Sequence, residues 1–313
     1  MAGLVGRAGG WLFNQPYVLL ALPSLFFAGN VVIARSVAGH VPPVALSLGR
    51  WWIAFLLVLP FTMGYLRRDW PEILRHIPLL TVLALTGYAG YNTMAYYGLQ
   101  FTEAINALLS QSMGPVFVAL WTLVLFGERL TLMQAGGITI SLIGAVVIIC
   151  RGDLNVLLSV GVNRGDLWYI GALFVYAFYS ALLRLRPAIH PLSFLTVCMG
   201  WSTLLLTPLL LLEMASGATI TFDWATLLTF AYVGIFPSIL AYLFLNRGIE
   251  LIGANRAAPF LHLIPVFGSV LAIIFLGERP HLYHGIGYAL VLAGVTIAAR
   301  RGSAMIGREG AKP

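Results

Sequence analysis

Tyr88, Tyr91, Asn92 and Tyr96 fall within one broad face of a helix, and Ser238, Tyr242 and Asn246 follow at i, i+4 and i+8 in a later apolar stretch. Phenol rings so placed stack on a flat ligand while amides and hydroxyls hold its polar head, which is the chemistry of a small-molecule cavity. The same side chains also bond helix to helix inside a bilayer, at roughly 0.6–2 kcal/mol each. Asn30, Ser110, Tyr176 and Trp201 are further candidates for the cavity wall. Asn255, Ala258, Pro259, His262, Val266 and Ser269 form another stripe, with His262 its titratable member. An ionisable group at membrane depth is a functional candidate, although a lone histidine also serves in packing.

Arg50 stands inside an apolar stretch, where a central charge costs about 2.5–3.5 kcal/mol on insertion scales. It either receives a substrate carboxylate or carries its guanidinium to the interface or a helix end. Cys150 and Cys198 are isolated in apolar sequence, and no spacing suits a metal, so neither a metal nor a cofactor is expected. The 11 acidic residues are scattered, without the cluster that a membrane-embedded transferase needs for Mg²⁺ and diphosphate.

Membrane helices must position these groups. The chain has 313 residues, 60% hydrophobic and 9% charged, with mean hydropathy +0.91, against about 25% charged in soluble domains. A helix needs about 20 apolar residues to cross a bilayer. Ten such stretches are expected, near 17–38, 44–65, 78–99, 103–126, 131–150, 166–184, 191–213, 225–245, 253–276 and 281–299. The first exceeds the roughly 7–15 residues of a signal-peptide core and is kept as a span. Arg7, Arg67, Arg68, Arg75, Arg129, Arg184, Arg186, Arg247, Arg300, Arg301, Arg308 and Lys312 gather on one side of this arrangement, while Arg35, Arg151, Arg164 and Arg279 fall on the other. The positive-inside rule then puts both termini in the cytoplasm. The net charge of +7 is thus a topology signal, and no nucleic-acid partner is expected.

Gly127-Glu128-Arg129 recurs as Gly277-Glu278-Arg279, and with that offset of 150 residues the segments 98–152 and 248–302 align without a gap. Pro115-Val116-Phe117 matches Pro265-Val266-Phe267 within them. Two copies of an odd, five-helix unit must enter the membrane from opposite sides, which gives inverted repeats and a site between the halves. The expected division is residues 1–150, a linker 151–165, a second unit 166–300 and a basic cytoplasmic tail 301–313. Pro115 and Pro265 are candidate hinges, with static kinks the alternative. Each Glu-Arg pair is read as a clasp that caps the next helix and meets carbonyls of the preceding one. Gly137, Ser141 and Ala145, and likewise Gly285, Ala289 and Ala293, are small residues at four-residue spacing that suit scaffold or dimer contacts.

Gly29-Asn30 with Arg35, Arg50-Trp51, Tyr97-Gly98-Leu99 through Thr102, Ala104 and Ala107, Pro115, and the repeated Gly248, Ala254, Ala257 and Pro265 resemble the drug/metabolite transporter superfamily with paired EamA-type domains. The aromatic-rich spans are also similar to YddG-type amino acid exporters. The resemblance implies an all-α polytopic fold of ten transmembrane helices, two inverted five-helix repeats around a central cavity. It further implies export of small amphipathic metabolites, such as aromatic and other neutral amino acids, from the bacterial inner membrane by a monomer or homodimer. A drug or lipid-linked-sugar flippase of the same fold is the alternative, and a transferase a more distant one. In the absence of carboxylates well inside the spans, His262 is the expected proton-linked group if transport is coupled to protons.

Overall fold

The computed structural model describes residues 14–127, 131–153, 163–253 and 257–299, which are helices and connecting turns with no strand among them. In chain order these are α1 (Pro16–Ser36), α2 (Pro43–Arg75) and α3 (Ile77–Ala84, a π turn Leu85–Gly90, then Tyr91–Leu99). Next come α4 (Ala104–Ser110, a 3-10 turn Gln111–Met113, then Gly114–Phe126), α5 (Leu132–Ile149), α6 (Arg164–Leu182) and α7 (Pro191–Ala215). The last are α8 (Trp224–Ile235, a π turn Phe236–Leu240, then Ala241–Ile252), α9 (a 3-10 turn Ala258–His262, then Leu263–Leu276) and α10 (Leu282–Ala299).

Seven helices among the described residues, α1, α2 and α4 to α8, are long and apolar enough to cross a membrane; α9 and α10 are apolar over the shorter Phe260–Leu276 and Leu282–Ile297. This is a multi-pass membrane protein. The glycines, tyrosines, Asn92 and Thr93 that make α3 a candidate cavity wall also dilute its hydropathy. Helix α2 runs well beyond the expected 44–65, for 33 residues to Arg75.

Local chemistry sets the boundaries. Proline opens α1, α2 and α7, where a missing N–H costs no helical bond. Helices α4 and α9 end on Gly127 and Gly277, both at φ 67°, a left-handed conformation that glycine adopts without strain. Thr131 and Gln134 form a capping box at the start of α5.

Helix α2 packs on α7 and α5 on α10, while α1 lies against α8 and α9, and α6 against α3 and α4. The α3–α6 contact is backbone on backbone, since a Cβ added to Gly98 would meet the Gly165 carbonyl oxygen at 2.8 Å. On α5 the expected stripe of Gly137 and Ser141 meets Gly294 of α10. On α10 the expected Gly285, Ala289 and Ala293 are exposed, and the seam consists of Gly287, Val291 and Gly294. Four-residue spacing alone could not choose between these two faces.

Candidate substrate cavity

Helices α1, α2, α3 and α8 converge on Arg50. Its Nε donates to Ser238 Oγ at 2.7 Å, and its Nη1 to Asn92 Oδ1 at 2.8 Å, Tyr96 Oη at 3.0 Å and Asn30 Oδ1 at 3.3 Å. The acceptors are themselves held: Tyr96 Oη donates to Asn30 Oδ1 at 2.9 Å, and Asn92 Nδ2 donates to the Tyr88 carbonyl at 2.9 Å. Arg50 is 5% exposed, yet every partner is neutral. Among the described residues no carboxylate pairs with it, and its second terminal nitrogen donates to none of them. A guanidinium has five N–H donors in a planar fork. Here it is a buried cation compensated by oriented dipoles.

The two helices that carry most of the tyrosines contain π turns at repeat-related places, Leu85–Gly90 and Phe236–Leu240. In α8 the cause is local: Pro237 has no N–H, and Ser238 Oγ donates to the Val233 carbonyl five residues back at 2.7 Å. At the position matching Pro237, α3 has Gly87, which leaves room for the Tyr179 ring. Such turns shift the register of the residues that follow, and they occur frequently at functional sites.

An aromatic wall extends from this point. Tyr88 meets Trp51 at 4.8 Å and Tyr179 edge-on at 5.8 Å, Tyr179 meets Tyr176 at 5.5 Å, and Tyr176 meets Tyr91 at 4.7 Å. Tyr242 lies close enough to Tyr88, Tyr91, Tyr176 and Arg50 for electrostatic interaction. Tyr169 accepts from Gln111 Nε2 at 2.7 Å. Sequence reasoning missed Tyr169, Tyr179 and Gln111; the i, i+3 spacing of Tyr176 and Tyr179 on α6 was the available signal.

The structure thus brings Asn30, Arg50, Asn92, Tyr96 and Ser238 into one hydrogen-bonded cluster, with Tyr88, Tyr91, Tyr176 and Tyr242 beside it. Ser110 is buried in α4. Trp201 donates to Thr81 Oγ1 at 2.7 Å and lines an apolar groove of about 670 Å³ with Trp52, Phe55 and Trp70, whose walls include none of the Arg50 partners. The His262 side chain is exposed on the same stripe as Val266 and Val270, and its carbonyl accepts from Tyr288 Oη at 3.1 Å. Asn255 lies outside the described residues. Pro115 and Pro265 each follow a 3-10 turn closely.

The Gly-Glu-Arg clasp is different from the expected one. Glu278 does not cap the next helix; its two carboxylate oxygens accept from the Ala104 and Ile105 N–H groups of α4, in the other half of the chain, at 2.7 and 2.9 Å. The sequence distance of 174 residues hid this pairing. Glu128 and Arg129 lie outside the described residues. Glu213 of α7 caps α2 in the same manner through Val44 and Ala45, both at 3.1 Å. Asp69 of α2 accepts from the His190 N–H at the start of α7 at 2.9 Å.

Residues 15–150 and 163–300 each match the EamA-like transporter family, and the chain belongs to it, with two EamA repeats. It is 26% identical to the uncharacterized transporter YyaM of Bacillus subtilis over 90% of this chain and 93% of that one. It is 28% identical to a probable terminal-alkyne amino-acid exporter of Streptantibioticus cattleyicolor, over 82% of this chain and 84% of the exporter. A probable amino-acid metabolite efflux pump of Salmonella typhimurium is also 28% identical, over 86% of this chain and 89% of its own length. One crystal structure aligns with 94% of this chain and 98% of its own at TM-score 0.57 and 19% identity, a likeness of fold.

Proposed function

We propose that this EamA-family chain is a secondary transporter of the bacterial inner membrane that exports small carboxylate-bearing metabolites, above all aromatic and other neutral amino acids. The observation that carries the reading is Arg50, a buried cation with four neutral hydrogen-bond partners and no acidic one, beside a wall of tyrosines. The guanidinium fork receives the carboxylate, and the phenol rings flank an aromatic or apolar side chain. The printed names of two relatives, an amino-acid exporter and an amino-acid metabolite efflux pump, support the same substrate class.

The transport cycle is alternating access of two five-helix halves in inverted orientation, with both termini cytoplasmic. Supporting this, the packing pairs α1 with α8 and α9, and α6 with α3 and α4, exchange with one another when residues n and n+150 are swapped. The reciprocal caps of α2 by Glu213 and of α7 by Asp69 support it as well. Pro115 and Pro265 serve as the hinges.

The test is exchange in proteoliposomes loaded with radiolabelled phenylalanine, tryptophan or threonine, with an unrelated cationic drug as comparison. Saturable exchange of the amino acids above empty-liposome controls is expected. Exchange of the drug alone would overturn the substrate class.

A further inference from the structure

The arginine-poor end of the bundle, the outward end on the reading above, is closed around the turn between α3 and α4. Asn163 Nδ2 donates to the Phe101 carbonyl at 2.8 Å, Glu278 caps Ala104 and Ile105, and Thr102 Oγ1 donates to Asp166 Oδ1. Four side chains of the second half therefore hold one turn of the first, the fourth being His284, whose Nε2 lies 2.9 Å from Asn106 Oδ1.

The protonation state of His284 follows from its partners. Its Nδ1 accepts from the His281 N–H at 2.9 Å, so the ring proton resides on Nε2 and is donated to Asn106. That turns the Asn106 amide nitrogen toward Asp166, and both Asn106 Nδ2 and Asp166 Oδ2 are buried without a hydrogen-bond partner among the described residues. His284, Asn106 and Asp166 are 4%, 1% and 3% exposed. A second proton on His284 can go only to Nδ1, where it would face the His281 N–H, donor against donor, on a ring that is buried.

We propose that His284, with Asn106 and Asp166, is a proton-binding site of the outer gate, and that protonation of His284 releases the α3–α4 turn and opens the cavity outward. The charged and titratable groups facing it are Asp166 on α6, Glu103 before α4, Arg151 after α5, and His281 and Tyr283 at the head of α10. Of these, Arg151 and His281 oppose a positive charge on His284, and the carboxylates Asp166 and Glu103 offset that in part. The repeat supplies an internal comparison. In α5 the equivalent of His284 is Gln134, whose Oε1 accepts from the Thr131 N–H at 2.8 Å as His284 Nδ1 does from His281. The partners of His284 and Asp166, Asn106 on α4 and Thr102 in the turn before it, match Arg256 and Ile252. None of Gln134, Arg256 and Ile252 changes charge between about pH 5 and 8, so the repeat-related position has no counterpart of the His284 response.

The proposal uses the orientation given above but is tested without substrate. Spin labels on Ser36→Cys and Arg279→Cys, exposed residues of opposite halves, report the gate by electron-electron distance; the native Cys150 and Cys198 are buried. Lowering pH from about 7.5 to 5 is expected to raise the long-distance population on the order of tenfold, the shift that one unsatisfied buried group produces. His284→Gln, which copies Gln134 and keeps both hydrogen bonds, is expected to stay closed at both pH values, while His281→Gln retains the response. A wild-type distribution that ignores pH, or a response that survives His284→Gln, overturns the proposal. Failure of amino acid exchange in liposomes would instead overturn the transport reading and leave the distances standing.

Discussion

Replacing Arg50 by Gln separates its use as a substrate contact from its use as a helix tie. The side chain makes four hydrogen bonds, of which those to Tyr96 and Asn30 are backed by the Tyr96–Asn30 bond, so Gln strands chiefly Asn92 Oδ1 and the acceptor side of Ser238. At about 1–3 kcal/mol per buried unsatisfied group, the fold loses some stability but not its architecture. The substrate loses more selectively. A charge-assisted bond to a carboxylate contributes about 1.5–3 kcal/mol, or roughly 10- to 150-fold in affinity. The assay is competition in proteoliposome exchange between an amino acid, its amide and the corresponding amine lacking the carboxyl group. Wild type is expected to favour the amino acid by that factor, and Arg50→Gln to treat the three nearly alike. Arg50→Lys keeps the charge but loses the fork, so it is expected to fall between them. Equal competition by the amine against wild type would refute the reasoning, as would a discrimination that Arg50→Gln leaves intact.

Other perturbations follow from the same contacts. Glu278→Ala removes both acceptors at the start of α4 and is expected to destabilise the protein by about 0.5–2 kcal/mol, read as a fall in melting temperature that Glu278→Gln partly restores. Gly98→Ala places a Cβ 2.8 Å from the Gly165 carbonyl oxygen and 3.0 Å from the Tyr169 nitrogen, backbone atoms that cannot step aside, and is expected to lower thermal stability sharply. Gly64→Ala, which meets nothing within 4 Å inside α2, is expected to raise it slightly. The Thr226 N–H bonded to Asp223 at the head of α8 holds this carboxyl below its ordinary value of 3.8. A lowered folded value means that the stabilisation is complete above 3.8 and is lost as pH falls through the folded value, so the melting temperatures of wild type and Asp223→Asn are expected to converge only in strong acid.

Legibility in the sequence followed the range of the interactions. Apolar length showed the helices, because each span satisfies its own backbone and has to be apolar within itself. The ungapped repeat showed the two EamA units, since an offset is visible without any structure. Tyr88, Asn92 and Ser238 were legible as faces because helical spacing is local. Their convergence on Arg50 was not, as its partners lie 20 to 188 residues away in the sequence. Asp166 and His284 sit at helix ends, where composition suggests solvent; only the packed turn of the other half buries them. The π turns escaped because Gly87 leaves no mark in α3 comparable to Pro237 in α8.

The Arg50 cluster also suggests how binding is linked to movement. Its bonds to Asn30, Asn92 and Tyr96 lie within the first half, whereas the bond to Ser238 crosses to the second. If the halves rock, only the crossing bond has to break, and a carboxylate arriving at the fork replaces Ser238 with a stronger acceptor. Ser238→Ala tests this directly. The hydroxyl now bonds both Arg50 Nε and the Val233 carbonyl; its loss leaves Nε unsatisfied in the empty transporter and satisfied once a carboxylate binds. Because the empty state alone is penalised, by about 1–3 kcal/mol, substrate affinity is expected to rise by roughly 5- to 150-fold while thermal stability without substrate falls. Isothermal titration of the purified protein measures the first and differential scanning the second. An affinity that stays level or weakens in a folded Ser238→Ala protein would place Arg50 outside the binding step and return it to the role of a helix tie.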